Sequence, residues 1–97
     1  EKKSPAKHEE PKDEYQALLY EAQDNLDSGN IDKALDIYQK LIEEKEYLDD
    51  VIDSLSKATF KHPMNVAILK TLGDGYMQKD QLQEALDAYS KAEDLLR

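Results

Sequence analysis

The residues of this 97-residue chain that could do chemistry are few: two histidines, His8 and His62, a scatter of serines, and a run of carboxylates near the middle. Catalysis needs a nucleophile with its base, a matched acid and base, or metal ligands held together in a pocket. His8 lies among lysines, glutamates and prolines, and His62 stands directly before Pro63, where a solvated or capping role is the ordinary one. No second ligand has a spacing that would complete a metal site with His62. Ser54, Ser56 and Ser90 fall on helical segments without a nearby histidine and read as surface positions. The carboxylates Glu43, Glu44, Glu46, Asp49, Asp50 and Asp53 invite a calcium reading, but the Asp-x-Asp-x-Asp-Gly loop closed by a glutamate is missing. A solvated face, with Asp49 and Asp50 in the first turn of a helix, accounts for them. The expectation is a protein that is not an enzyme and needs neither cofactor nor metal.

Composition narrows the partners. The formal charge of −9 argues against nucleic acid, whose binders need a basic face to displace counterions. It also disfavours direct contact with an anionic membrane and favours a cationic or neutral peptide through long-range attraction, although solubility alone would explain it. With no cysteine, no disulfide supports the chain, so its stability must come from packing. The longest apolar runs are short, as in Val66-Ala67-Ile68-Leu69, so neither a membrane span nor a signal-peptide core is present. A soluble chain is expected, with the cytoplasm as the favoured compartment. Because the first residue is Glu rather than Met, we expect a piece of something longer or a processed product.

The elements that must position any site are helical. Residues 1–13 hold charged residues, Pro5 and Pro11 with a single alanine, and cannot bury enough surface to offset ordering, so they read as a flexible, disordered linker. Residues 14–97 form the expected domain. Asp13 can cap a first helix over 14–27, with Gln16 completing a capping box, and Tyr15, Leu18, Leu19, Ala22 and Leu26 give its one-sided spacing. Gly29 ends that helix and Asn30 caps a second over 31–44. A third follows over 48–61. Pro63 forces a turn, and Asn65 caps a fourth helix over 66–78, with the fifth over 82–96.

The last two helices carry the most specific pattern. Leu69, Leu72, Gly73 and Tyr76 share one face, and Ala85, Tyr89 and Ala92 follow on the next helix after Lys79-Asp80-Gln81. Two helices approach closely where one offers no side chain, so Gly73 is expected to face Ala85, with Tyr76 and Tyr89 filling the space beside them. This order resembles the tetratricopeptide repeat (TPR). A second, weaker match lies at the start: Ala34-x3-Tyr38 repeats Ala85-x3-Tyr89, and Gly29 occupies the place that Asp80 holds later. Asp tolerates a left-handed backbone, so that departure is mild. In the first pair, however, Ala22 and Asn25 stand where Gly73 and Tyr76 stand, which implies a looser contact.

Counted in the family's frame, the first pair begins at Tyr15 and the last at Val66, an offset of one and a half repeats of about 34 residues. One helix is supernumerary: the second helix would serve both as partner to the first and as opening helix to the third. The resemblance thus implies an all-α fold, a five-helix antiparallel TPR-like right-handed solenoid.

It also implies a function: holding an extended protein or peptide segment in a groove lined by the first helix of each pair. Carried over, the groove residues are Ala67, Lys70, Thr71, Asp74, Met77 and Gln78 on the fourth helix and Gln16, Leu19, Tyr20 and Gln23 on the first. The subclass that holds the terminal carboxylate of chaperone tails uses Lys and, four residues on, Asn. Here Lys70 is followed by Asp74, which would repel a carboxylate. The alternative is structural. Ala88, Ala92, Leu95 and Leu96 are expected to leave an apolar strip on an uncapped end, serving a homodimer or a joint between domains.

Overall fold

Each helix starts where a side chain or a turn can satisfy its first amides. The computed structural model describes residues 8–97, and its element order is α1 (Glu14–Asp27), α2 (Ile31–Glu44), α3 (Leu48–Lys61), α4 (Val66–Gln78) and α5 (Leu82–Leu95). The fold is all-α, with no strand among the described residues. Asp13 Oδ1 accepts from the Gln16 amide at 2.8 Å, and Asn65 Oδ1 accepts from the Ile68 amide at 3.0 Å, so both caps are made as expected. The Gln16 side chain reaches back one residue further than a capping box requires and accepts from the Lys12 amide at 2.8 Å. Asn30 precedes α2 but makes no side-chain cap bond; its amide instead lies 3.5 Å from Asn25 Oδ1.

The turns follow the chirality of the backbone. Gly29 and Asp80 both take the left-handed conformation, at φ 88° and 61°, so equivalent places in the two hairpins do equivalent work. The link from α2 to α3 is more strained, because Lys45 and Tyr47 are left-handed without being glycine. Two hydrogen bonds hold Lys45 there, Glu46 N to Leu41 O at 2.9 Å and Lys45 N to Ile42 O at 3.1 Å. The Tyr47 hydroxyl donates to Asp13 Oδ2 at 3.0 Å, which ties the start of α3 to the start of α1.

Residues 1–7 of the expected linker lie outside the described residues. From His8 onward the segment packs on α1: the His8 ring stacks on Tyr20, centroids 4.1 Å apart, and its Nε2 lies 3.0 Å from Asp24 Oδ1. His8 is thereby held against α1 and Asp13 against Tyr47, while residues 9–12 between them are exposed.

Packing centres on α2. Of the largest fully buried side chains, Tyr38, Leu41 and Ile42 belong to it, with Val51 and Leu55 from α3 and Ile68 from α4. It packs along α1 and against α4, while α3 lies mainly on α4. The two hairpins, α1 with α2 and α4 with α5, are the most extensive pairings.

At Gly73 the nearest neighbour is the tyrosine expected beside the close contact. Ala85 is fully buried, yet what occupies the space of the missing side chain is the Tyr89 ring one turn further on. A Cβ there would fall 2.6 Å from Tyr89 Cδ1 and 2.9 Å from Cζ, closer than packed atoms tolerate. Gly75 admits a different neighbour, Ile52 of α3, whose Cγ1 would be 3.1 Å from an added Cβ. Ile52 is only half-buried and can give way. Gly73→Ala should therefore lower the melting temperature, since overpacking of about 1–3 kcal/mol outweighs a helix-propensity gain of about 1 kcal/mol. Gly75→Ala should leave it unchanged or raise it. Thermal melts followed by circular dichroism compare the two, and a Gly73→Ala protein more stable than its parent would refute the close contact.

Candidate functional site

Two helices present the same spacing to one another. Asp32, Leu35, Asp36 and Gln39 of α2 face Ala67, Lys70, Thr71 and Asp74 of α4, each set at i, i+3, i+4 and i+7, and together they line a groove of about 490 Å³. Leu35 and Thr71 form its buried floor, Thr71 donating its hydroxyl to the Ala67 carbonyl at 2.8 Å. Asp32, Asp36 and Lys70 stand exposed along the walls. Asp74 is half-buried and already engaged: one oxygen accepts from the Tyr89 hydroxyl of α5, the other from Gln39 Nε2 of α2 at 3.0 Å. Three carboxylates and one ammonium thus surround a partly apolar channel.

Four of the six residues expected on α4 line this groove. Met77 and Gln78 lie exposed at the end of the helix, beyond its lining. The opposite wall is α2 rather than α1, which does not touch α4. Each α1 residue assigned to the groove has another occupation. Leu19 is 3% exposed and belongs to the core. Gln16 accepts from Lys12, Tyr20 lies under His8, and Gln23 donates to Ser54 Oγ at 3.1 Å. The signal for α2 was available, since a helix that opens a pair with α3 should line the groove, and its i, i+3, i+4, i+7 set matches that of α4.

The apolar surface also falls elsewhere than expected. Ala88 and Ala92 are buried against the body of the protein, and Leu95 is half-buried; of the four only Leu96, 69% exposed, faces solvent fully. Larger exposed apolar side chains are Leu82 and Leu86 on α5, Met64 in the α3–α4 turn and Phe60 near the end of α3, the last 86% exposed. Phe60 borders a second groove, of about 420 Å³, with Pro63, Leu69 and Leu95.

The carboxylate run is dispersed. Asp49 accepts from Lys79 Nζ at 2.6 Å, Asp53 pairs with Lys57 at 3.1 Å, and Glu44 accepts from the Tyr15 hydroxyl. Among the described residues no three His, Asp or Glu side chains come together as a metal ion would require, and no helix is long and apolar enough to cross a membrane.

Fold and groove together define a class: a five-helix all-α module with an acidic, partly apolar channel between its second and fourth helices. Comparison with protein-family models, with curated proteins and with solved structures finds no match to this chain.

Four phenols, Tyr15, Tyr38, Tyr47 and Tyr89, are raised in pKa, the two in the interior most strongly. Burial pushes Tyr38 up to about 12, the nearby Ser54 hydroxyl working against this and the Asp27 and Asp24 carboxylates adding to it. Burial, then the hydrogen bond to Asp74, brings Tyr89 up to about 12 as well. A raised phenol favours the folded state while neutral, so this stability is full below about pH 10 and is lost as pH climbs through 12. Melts across that window should fall less steeply for Tyr38→Phe and Tyr89→Phe than for the parent. Equal slopes in all three proteins would show that neither phenol is linked to folding.

Proposed function

We propose that this chain is a non-catalytic protein–protein interaction module that holds a cationic, extended partner segment in the α2–α4 groove. We also propose that it is built in the manner of TPR proteins, with α1–α2 and α4–α5 as two repeat-like pairs separated by α3. The neighbour relations support this: α1 with α2 and α4 with α5 are the most extensive pairings, and α3 lies between them on α4. The observation that carries the reading is the groove itself, in which matched faces of two helices flank a buried floor of Leu35 and Thr71 with exposed Asp32 and Asp36. Main-chain and aliphatic parts of a segment would lie on that floor, and its Lys or Arg side chains would meet the two aspartates. Asp74 opposes a terminal carboxylate, as the chaperone-tail class would present, and the charge of −9 opposes nucleic acid.

The test is fluorescence anisotropy with labelled Lys/Arg-rich peptides and acidic controls. Asp32→Asn combined with Asp36→Lys touches only exposed side chains and should weaken binding at least about tenfold, as should a rise in salt that shortens the Debye length to about 3 Å. Affinity indifferent to both changes, or no peptide binding at millimolar concentration, would end the reading.

The second reading is a homodimer or an interdomain joint, favoured by the exposed Leu82, Leu86 and Leu96 on α5 and its end and by Phe60 nearby. Charge at Ala88 cannot test it cleanly, because that side chain is in the core. Leu86→Lys with Phe60→Lys can. Sedimentation velocity over a concentration series should then show a dimer lost in the variant, whereas a parent that stays monomeric throughout excludes self-association.

A further inference from the structure

We infer that the cleft between α1 and α3 is a binding site for a short aliphatic carboxylate, with the Tyr38 hydroxyl as its deep donor. The cleft measures about 300 Å³, at the small end for ligand sites, and shares no lining residue with the α2–α4 groove. It exists because α1 and α3 barely touch, their side chains being joined across the gap by Gln23 and Ser54. Tyr38 rises from α2 beneath this gap. The residue is fully buried and its hydroxyl has no hydrogen-bond partner, a deficit of about 1–3 kcal/mol that an oxygen in the cleft would remove once a lining side chain shifts to admit it.

The lining fits that oxygen to a carboxylate. The Tyr38 phenol stays protonated at neutral pH and so offers a proton rather than a charge. Both histidines of the chain, His8 and His62, border the opening, together with Lys57 and Lys61. Lys57 is matched by Asp53, whereas Lys61 has no ion-pair partner among the described residues. Asp27 also lines the cleft but has an interaction of its own. Leu26 and Ala58 supply apolar walls, which suit a chain of a few methylenes better than a compact inorganic anion.

Butyrate titrated into ¹⁵N-labelled protein tests the site. The amides of Ser54, Lys57, Ala58 and Lys61 should shift saturably. Tyr38→Phe keeps the ring, and Lys61→Gln alters an exposed side chain; each should weaken binding about tenfold, consistent with loss of a hydrogen bond to a charged group, while the melt stays cooperative. A peptide ending in a free carboxylate, compared with its amidated form, separates the two sources of the same group. Binding of butyrate assigns the cleft to a small molecule, and binding of the free-acid peptide alone assigns it to a partner's terminus. Shifts that remain linear with every probe, or variants that bind as tightly as the parent, would overturn the proposal.

Discussion

The contact on which the rest of this structure depends is made at a position with no side chain. Gly73 lets the Tyr89 ring settle against the backbone of α4, and from there the phenol reaches Asp74, whose second oxygen receives Gln39. Three helices from both hairpins are thereby tied in one short chain of hydrogen bonds. A partly buried polar link of this kind adds little net energy, but it penalises every arrangement that leaves a member unpaired. It fixes the rotation of α4 about its own axis. Once that rotation is set, Ala67, Lys70 and Thr71 must face α2, and the groove follows.

The apolar bulk sits elsewhere. Tyr38, Leu41 and Ile42 give α2 three of the largest fully buried side chains and contacts with α1, α3 and α4, although its sequence carries no Leu-Gly-x2-Tyr pattern. Recognisable motifs and packing centres thus fall on different helices. Motifs mark places where backbones come unusually close, whereas a helix buried among neighbours needs only large apolar residues at the right intervals.

That difference governs what could be read from the residues. Helix limits were legible because caps and left-handed positions are local chemistry: Asp13, Gly29, Asn65 and Asp80 each act within a few residues of themselves. Only the end of α5 differs, by one residue. The burial of α5 was not legible from hydrophobicity, since close approach places the small Ala85, Ala88 and Ala92 inward and turns Leu82 and Leu86 out. The place of the segment before α1 was hidden for another reason. A polar, proline-bearing segment gives no periodic signal, yet one stacked ring, His8 on Tyr20, suffices to lay it along the helix. Left-handed Lys45 and Tyr47 were equally invisible, being imposed by where α3 must lie rather than by any preference of those residues.

α2 presents Asp32, Leu35, Asp36 and Gln39 to one recess and Tyr38 to another. It is a party wall with a room on either side. Were occupancy of one room to shift the wall, the other would feel it, and by thermodynamic reciprocity the effect would run equally in both directions. With Cα extents of 47 × 25 × 16 Å the body is thin, and a single helix separates the two recesses.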